Sequence, residues 1–439
     1  MKKQIAFIYL QLFLASLAFG QKELLQSGPM LGYSEMKEVL LWVQTKTPAK
    51  VQFAYWETGG TGRKTLTDSK TTAKEEGYTA RLIADQVEPG KQYDYELLIN
   101  NQPVKLPYPT RFQTQTLWQF RTDPPDFSLA VGSCFYVNEP EYDRPGTPYG
   151  GEYQIMTAIY NRHPDAMLWL GDNVYFREPD WYTRTGMIHR YTHTRSLPEL
   201  QPLLASTHHY AIWDDHDFGP NDSDRGFIQK DETLDVFKLF WGNLNYGLPG
   251  KKGVTGYFQF EDVDFFLLDN RYFRTPNNRT TEKRTLLGND QIEWLIDALA
   301  FSKAPFKIIA VGGQFLNTVK AYETYANLAP EERSYILDRI EEEGITGVVF
   351  LSGDRHHTEL SSYTNAAGHA VYDLTVSPLT SGVGNPEKEV NDLRVPGTLL
   401  VKRNFGLLEF SGPLNERKMT IRIINSGGEE QWSREIRPQ

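Results

Sequence analysis

Apolar and polar residues alternate in several short segments between residues 28 and 118. The segments VLLWVQTK, VQFAYWET, YTARLIA and YDYELLIN are rich in β-branched and aromatic residues, and turn sequences such as TGGTGR and EPGK separate them. A period of two is typical of strands that bury one face and expose the other. Strands at this spacing predict a small β-sandwich as an N-terminal domain over residues 28–118.

The pattern changes near residue 125, where continuous apolar runs alternate with segments of helical periodicity. The apolar runs end in polar residues: FSLAVGSC, AMLWLGD, HYAIWDD, FFLLDNR, KIIAVGGQ and GVVFLSGD. Helical patterns lie between several of them, in EYQIMTAIYNR, LDVFKLFWGNL, NDQIEWLIDALAF and EERSYILDRIEEE. Buried strands that alternate with helices predict a layered α/β domain over residues 125–439.

The first twenty residues, MKKQIAFIYLQLFLASLAFG, have the features of a secretory signal peptide. Lys2 and Lys3 precede a short apolar segment, and a small-x-small sequence ends at Gly20. We therefore expect residues 1–20 to be removed and the protein to be exported to the periplasm or the extracellular space. No later segment has the roughly 18 to 20 unbroken apolar residues of a membrane span, so no transmembrane segment is expected.

The charge balance argues against a nucleic-acid partner. Loss of Lys2 and Lys3 leaves 44 basic residues against 56 acidic ones, a formal charge of about −12. Such an acidic surface is not suited to binding DNA or RNA through phosphates, so we expect no nucleic-acid-binding surface. An anionic substrate would need a local site to attract it.

Polar residues follow many of the predicted strands, and in an α/β sheet the carboxyl ends of the strands form the edge where ligands bind. Asp172 and Tyr175 follow a strand in GDNVY, and Asp354 and His356 follow another in GDRHH. Cys134, the single cysteine, follows a third strand in VGSCF. It cannot form an internal disulfide, and its location favours a metal ligand over a buried structural thiol.

A fourth strand end, IWDDHDFGPND at residues 212–222, contains four aspartates. Burying charges this close together costs several kcal/mol unless a cation neutralises them, so the loop is either a solvated acidic turn or faces a metal. Asn221 offers a neutral oxygen ligand, which suits a hard ion such as Ca²⁺.

The motifs GSC, GDxxY, WDDHD…ND, LDNRxxR and GDxH occur in this order and after these strands. Together they resemble the motifs of the alkaline phosphatase D (PhoD-like) family, within the metallophosphoesterase superfamily. The resemblance covers roughly residues 30–430 and implies a layered α/β/β/α catalytic domain. The stretch VEPGKQYDYELLIN ahead of it resembles a fibronectin-III-like module. The resemblance also implies a phosphate-ester substrate and two kinds of cofactor, Fe³⁺ and one or two Ca²⁺ ions.

The metal ligands that the resemblance implies are Cys134, Asp172, Tyr175 and His356 for the iron, and Asn221 and Asp354 for the calcium, with Asp172 bridging the two. Thiolate and phenolate are anionic donors that favour Fe³⁺ over Fe²⁺. Two neighbouring cations can hold a phosphoryl oxygen and prepare a hydroxide for in-line attack on phosphorus. The acidic loop would then lie against metals.

Several residues around the predicted metals are candidates for catalysis. Asp214, Asp215 and His216 are expected to support the metals or to transfer protons, and His216 is the first candidate for protonating the leaving oxygen. A purely structural role for His216 remains the alternative. The candidates for binding the phosphate are Arg177, Arg184, Arg271 and Arg274. For Arg271 and Arg274 we favour salt bridges with the surplus aspartates, which leaves Arg177 as the predicted catalytic arginine.

The sequence therefore predicts an exported metal-dependent phosphatase that hydrolyses phosphomonoesters, phosphodiesters or both by attack of a metal-activated hydroxide. One alternative is a phosphodiesterase specific for a phospholipid or a cell-wall polymer. The other is a non-catalytic binding protein on the same scaffold, which the loss of a metal ligand would favour. Every expected ligand position is filled in this chain.

Overall fold

A computed structural model describes residues Glu23–Pro438, so the signal peptide predicted over residues 1–20 lies outside the described residues. The described chain divides into two compact units. The first contains the residues up to Leu117 together with Arg195–His208, and the second contains Trp118–Thr194 and the residues from His209 onwards.

The first unit consists mainly of short strands. They are β1 (Leu25–Ser34), β2 (Val39–Thr45), β3 (Lys50–Glu57), β4 (Thr65–Leu66), β5 (Lys70–Thr71), β6 (Thr79–Ala84), β7 (Gln92–Ile99), β8 (Gln102–Pro103) and β9 (Arg111–Gln113). Strand β2 pairs with β1 and β6, while β3 and β7 pair with each other and carry the short strands β4, β5, β8 and β9. Side chains from both groups of strands form one hydrophobic core. The four segments with alternating pattern are β2, β3, β6 and β7, as predicted.

The segment Arg195–His208 packs in the first unit, although the sequence analysis included it in the second domain. It contains a 3₁₀ turn, Pro198–Leu200, and a helix, Gln201–Ser206. The Tyr95 hydroxyl donates to the Ala205 carbonyl oxygen over 2.7 Å, and buried leucines of the helix complete the contact. These contacts join residues far apart in sequence, which local periodicity does not reveal. A further 3₁₀ turn spans Lys74–Glu76.

The second unit contains two sheets. Its strands are β10 (Phe127–Gly132), β11 (Ala166–Leu170), β12 (His208–Ile212, from its second residue), β13 (Gly256–Phe260), β14 (Val263–Leu267), β15 (Phe306–Ala310), β16 (Val348–Ser352), β17 (Glu359–Thr364), β18 (Ala370–Thr375), β19 (Asn404–Ser411), β20 (Lys418–Asn425) and β21 (Glu430–Ile436). One sheet has the order β21-β20-β19-β10-β11-β12, and the other has the order β13-β14-β15-β16-β18-β17. Strands β14, β15, β16 and β18 are parallel neighbours.

The two sheets of the second unit pack face to face through aromatic side chains. The Phe127 ring lies 4.7 Å from the Phe410 ring within one sheet and 5.1 Å from the Phe260 ring of the other. Every residue of β14, β15 and β16 is buried, because neighbouring strands and covering layers exclude water from both faces. This explains why these strands are continuous apolar runs in the sequence.

Helices cover the sheets of the second unit. They are Gln154–Tyr160, Arg184–Arg195, Asp215–Phe218, Lys230–Phe240, Asn289–Phe301, Tyr325–Leu328 and Pro330–Glu342, and a 3₁₀ turn spans Leu414–Glu416. Pro330 can begin its helix because the first turn needs no backbone N–H donor. Within Glu23–Pro438, no helix combines the length and the apolar character that crossing a bilayer requires. The predicted layered α/β fold is confirmed.

Candidate metal centre

Four of the predicted metal ligands turn the chain through a left-handed backbone conformation just after a strand. The φ angle is 60° at Cys134, 52° at Asp172, 64° at Asp354 and 55° at His356. Such a conformation costs a non-glycine residue about 1–3 kcal/mol and persists only where the surrounding structure enforces it. The turns are therefore a shared feature of the strand ends.

The glycines of the two Gly-Asp motifs allow these strand ends to approach each other closely. A Cβ atom at Gly171 would lie 2.7 Å from the Cβ atom of Asp214, and one at Gly353 would lie 2.5 Å from the Cβ atom of Ser133. Real Cβ atoms do not tolerate such separations. Only glycine fits at either position, which gives the repeated motif a physical reason.

Cys134, Asp172, Tyr175 and His356 form one cluster. Asp172 Oδ2 lies 3.6 Å from Cys134 Sγ and 3.2 Å from Tyr175 Oη, and Tyr175 Oη lies 3.4 Å from His356 Nε2. The ligand atoms of Cys134, Asp172 and His356 all lie within 4.8 Å of one another. The cluster has the size and the donor atoms of a site for one metal ion.

A second group of carboxylates adjoins this cluster. Ligand atoms of Asp214, Asp215 and Asp354 lie within 4.8 Å of one another, and so do those of Asp172, Asp215 and His216. Asp214 Oδ2, Asp215 Oδ1 and His216 Nδ1 are buried and have no hydrogen-bond partner among the described residues. Buried oxygens without partners are costly, so this donor set also fits a cation.

The electrostatics of the cluster indicate a missing positive charge. Burial raises the pKa of the Cys134 thiol well above its usual range, and the charges of Asp172 and Asp354 raise it further. Burial also raises the pKa of Asp172, with Asp215 and Asp214 adding to the shift. The pKa of Asp354 is raised by burial and then by Glu323. A bound metal ion would reverse these shifts, so the residues present fit the metals that the family resemblance implies.

The acidic loop is partly neutralised from within the protein. The Arg271 side chain donates to Asp214 Oδ1 through Nε and to Glu323 Oε2 over 2.8 Å through Nη2, and Arg274 donates to the same Glu323 oxygen over 2.7 Å. Both guanidinium groups are fully buried. The predicted salt bridge with an aspartate of the loop is confirmed for Arg271, whereas Arg274 pairs with Glu323 instead.

Another acid of the loop is bound by the backbone. Asp217 accepts hydrogen bonds from the backbone N–H groups of Asp214 and Asn173, each over 3.0 Å, and the first of these belongs to the capping box of the helix Asp215–Phe218. Burial nevertheless raises the pKa of the Asp217 carboxyl to about 8. Asp217 thus supports the loop conformation, which explains one of the four aspartates without a metal.

Two of the predicted catalytic residues, His216 and Arg177, line a cavity of about 740 Å³ beside the cluster, and Asp215 does not belong to its wall. Tyr175, His216, Arg177 and Asn221 belong to its wall. The Arg177 side chain is buried and donates through Nε to the Tyr136 hydroxyl over 3.1 Å, and among the described residues no carboxylate pairs with it. Its charge is available to an anion in the cavity.

The structure places Asn221 on the cavity wall with an exposed side chain.

Arg184, the other arginine candidate, forms an ion pair with Glu232, so its charge is already compensated.

His216 packs against the ring of Tyr175 at a centroid distance of 4.2 Å. Burial lowers the pKa of its imidazole, and the charge of Asp215 opposes that shift. Burial acts to raise the pKa of the Asp215 carboxyl, but His216 and Arg271 hold it below its usual range. Asp215 also accepts the backbone N–H of Asp222 over 2.7 Å. Asp215 and His216 therefore form a coupled pair, of which His216 lines the cavity.

The sequence analysis missed residues that contact the cluster from two loops. Ser377 Oγ lies 3.2 Å from Cys134 Sγ, Ser381 Oγ lies 3.4 Å from His356 Nε2, and Tyr149 Oη lies 3.3 Å from His356 Nδ1. The polar run TVSPLTSG after β18 is a signal that could have identified the two serines. Tyr149 lies in an irregular proline-rich loop and carries no such signal.

The second unit thus has two packed sheets with helices around them, and side chains that could hold metal ions lie together at the strand ends. Solved structures with this fold resemble the chain over most of its length. The structure of PhoD is 16% identical, with a TM-score of 0.75 over 94% of this chain and 89% of that one. A purple acid phosphatase from yellow lupin (Lupinus luteus) seeds is 11% identical, with a TM-score of 0.65 over 94% and 74%.

The sequence comparisons agree with the fold. The family model of the PhoD-like phosphatases matches residues 251–410, and that of a domain of unknown function (DUF7800) matches residues 22–117. Alkaline phosphatase D of Bacillus subtilis (strain 168) is 22% identical over 330 residues, which is 64% of this chain. The chain spans about half, 53%, of the length of that relative. The match over residues 251–410 and the similarity to alkaline phosphatase D agree with the resemblance to the PhoD-like phosphatases that the motifs predicted.

Proposed function

We propose that the protein is a metal-dependent phosphoesterase that hydrolyses phosphomonoesters, phosphodiesters or both. The observation that carries the proposal is the cluster of Cys134, Asp172, Tyr175 and His356. These acidic and neutral donors are packed within hydrogen-bond distances of one another, and none of them pairs with an arginine or a lysine among the described residues. The match of residues 251–410 to the PhoD-like phosphatase family model supports the same function.

We assign this cluster to Fe³⁺, because thiolate and phenolate donors suit a ferric ion. Asp354 and the shared Asp172 are assigned to Ca²⁺, which prefers oxygen ligands, and Asn221 is assigned to the same ion. When bound, two such cations supply Lewis-acid charge and a hydroxide at neutral pH. The remaining steps belong to the side chains of the cavity.

Arg177 is proposed to bind the phosphate. Its guanidinium lies 4.7 Å from the ring centroid of Tyr136 and 5.8 Å from that of Tyr175, so two aromatic rings hold its orientation. Because Arg177 has no carboxylate partner, a phosphate oxygen does not compete with an internal salt bridge. A planar guanidinium can bind two phosphate oxygens at once.

His216 is proposed to protonate the leaving oxygen. Its ring lines the cavity and packs against Tyr175, with the centroids 4.2 Å apart and the ring planes tilted by 33°. Burial lowers the pKa of the imidazole, and the neighbouring Asp215 carboxylate opposes that shift and so supports the protonated form that a general acid needs. Asp215 therefore has the role of a positioning and charge-stabilising group for His216.

We also propose that residues 1–20 direct export, to the periplasm or the extracellular space. Cell fractionation of a host that expresses the whole chain tests this. We expect the full-length protein in the exported fraction and a variant that lacks residues 2–20 in the internal fraction.

Hydrolysis of bis(4-nitrophenyl) phosphate and of 4-nitrophenyl phosphate tests the proposed activity and ranks the two substrate classes. The assay compares the metal-loaded protein with Cys134→Ala, and Ser302→Ala serves as the control. Ser302 donates a side-chain hydrogen bond to Asp264 outside the cluster. We expect Cys134→Ala to lose both activity and iron while it keeps its circular dichroism spectrum, and Ser302→Ala to retain activity. A protein that carries iron and calcium but hydrolyses neither ester would contradict the proposal.

A further inference from the structure

Tyr149 is the exposed aromatic residue of the cavity wall. It lies in the irregular segment between β10 and the helix Gln154–Tyr160, and 41% of it is accessible to solvent. Tyr136 and Tyr175, which line the same cavity, are only 2% and 3% accessible. The ring of Tyr149 is therefore the aromatic surface that a molecule in the cavity can cover.

The surrounding structure holds this ring in place. Its centroid lies 5.0 Å from that of Tyr136 and 6.1 Å from that of Tyr175, both in edge-to-face geometry. On another side the ring lies against the backbone of Gly382, where a Cβ atom would come within 2.9 Å of Cε2. The hydroxyl lies 3.3 Å from His356 Nδ1. Four neighbours thus fix an exposed ring directly beside the metal cluster.

The rest of the cavity wall suits an apolar, planar group. Pro140, Pro145 and Pro148 contribute rigid apolar surface. Asp143 also lines the cavity, but its carboxylate accepts hydrogen bonds from the Tyr136 hydroxyl and from the Glu139 backbone N–H. The Asp143 carboxylate is therefore already hydrogen-bonded within the protein. The part of the wall next to Arg177 offers aromatic and proline surface to a ligand.

We propose that Tyr149 is a specificity-determining residue that stacks on an aryl group carried by the phosphate ester. A phosphate held by Arg177 near Tyr175 and His216 would leave its ester group in this cavity, against the ring of Tyr149. The inference rests on the phosphoesterase function proposed above, because it concerns the substrate class of the same site. Stacking with a preformed ring favours aryl groups over saturated rings of similar size.

Calorimetric binding of three non-hydrolysable phosphonates to the metal-loaded protein tests this inference. Phenylphosphonate and cyclohexylphosphonate have rings of similar size, and methylphosphonate has none. We expect the protein to bind phenylphosphonate about tenfold more tightly than cyclohexylphosphonate. Tyr149→Phe keeps the ring and should keep this preference. Tyr149→Leu should lose the preference, and because Tyr149→Phe also lacks the hydroxyl that lies 3.3 Å from His356 Nδ1, the difference between the two variants isolates the effect of the ring.

Equal affinity for the phenyl and cyclohexyl ligands, or a preference that survives in Tyr149→Leu, would overturn the inference. Its failure differs from a failure of the proposed function. A protein that hydrolyses 4-nitrophenyl phosphate but shows no phenyl preference contradicts only the role of Tyr149. A protein that prefers phenylphosphonate yet hydrolyses neither nitrophenyl ester contradicts only the proposed activity.

Discussion

Two adjoining groups of buried acidic side chains in the second unit differ in what neutralises them. Asp214 and Glu323 pair with the fully buried guanidinium groups of Arg271 and Arg274. Within Glu23–Pro438, Cys134 and Asp172 pair with no cationic side chain, and their hydrogen bonds come from hydroxyl, thiol and backbone groups.

The pKa of Glu323 follows this difference, but that of Asp214 does not, because burial raises it to about 6 although Arg271 opposes the shift. Burial acts to raise the pKa of Glu323, but Arg271 and Arg274 hold it below its usual range. The pKa of Asp172 is raised well above its usual range, by burial and then by neighbouring aspartates. Dense negative charge alone therefore does not identify a metal site. The group that we propose to bind metal combines buried acids without an arginine or lysine partner and the further donor atoms of Cys134 and Tyr175.

The largest effect should come from Asp172→Asn, which removes the donor shared by the two groups of ligands. We expect hydrolysis of the nitrophenyl esters to fall on the order of 10⁴-fold, because metal-ion catalysis supplies several kcal/mol. Initial rates and metal content by mass spectrometry measure this effect. Asp264→Asn removes a buried carboxylate outside the cluster and should retain activity. Similar losses in both variants would show that the effect of Asp172→Asn is not specific to the proposed metal cluster.

The arginine-paired group should respond in stability instead. Arg271→Met leaves Asp214 and Glu323 buried without a full set of partners, which should lower the free energy of unfolding by about 3–5 kcal/mol. Urea denaturation with and without metals measures this, and the loss should be present in both conditions. Arg422, which is 35% exposed and pairs with Glu409 and Glu430, provides the control. Arg422→Met should cost about 0–1 kcal/mol.

Metal addition should stabilise the protein only through the uncompensated group. At a metal concentration of 100 times Kd, the free energy of unfolding should rise by about 2.7 kcal/mol. Thermal unfolding of chelator-treated protein, before and after addition of Fe³⁺ and Ca²⁺, measures the change in Tm. The shift should shrink in Cys134→Ala and persist in Arg422→Met. An unchanged Tm of the wild-type protein at saturating metal would contradict the assignment.

The smallest effect concerns a carboxyl group of the first unit that has neither an arginine nor a metal. Burial, and then the charge of Glu38, raise the pKa of Glu35 from 4.5 to about 7. Because the folded protein holds this proton more tightly than the unfolded chain, its contribution to stability is present below pH 4.5 and is lost as the pH rises to about 7. Glu35→Gln should flatten that decline in a plot of Tm against pH. Parallel curves for both proteins would show that Glu35 titrates normally.

Much of the architecture was predictable because it depends on near neighbours in sequence. Alternation in YDYELLIN gives a strand with alternating burial, and the unbroken run in β16 gives a strand buried at every position. The Gly-Asp motifs were visible for the same reason, since the turn that follows a strand requires particular residues at fixed offsets. The metal roles of Cys134 and Asp172 remain predictions that their proximity supports.

The sequence by itself determined the order of strands and helices and the side chains that reach the strand ends, since periodicity and turn chemistry are local. Only the tertiary structure decided which charges are paired and which are not. Asp214 meets Arg271 across 57 positions of sequence, and Tyr149 meets His356 across 207. Local sequence patterns do not predict such contacts. The contacts form where distant strand ends and loops converge in a buried, low-dielectric site. That convergence separates the acids neutralised by arginine from those proposed to bind metal.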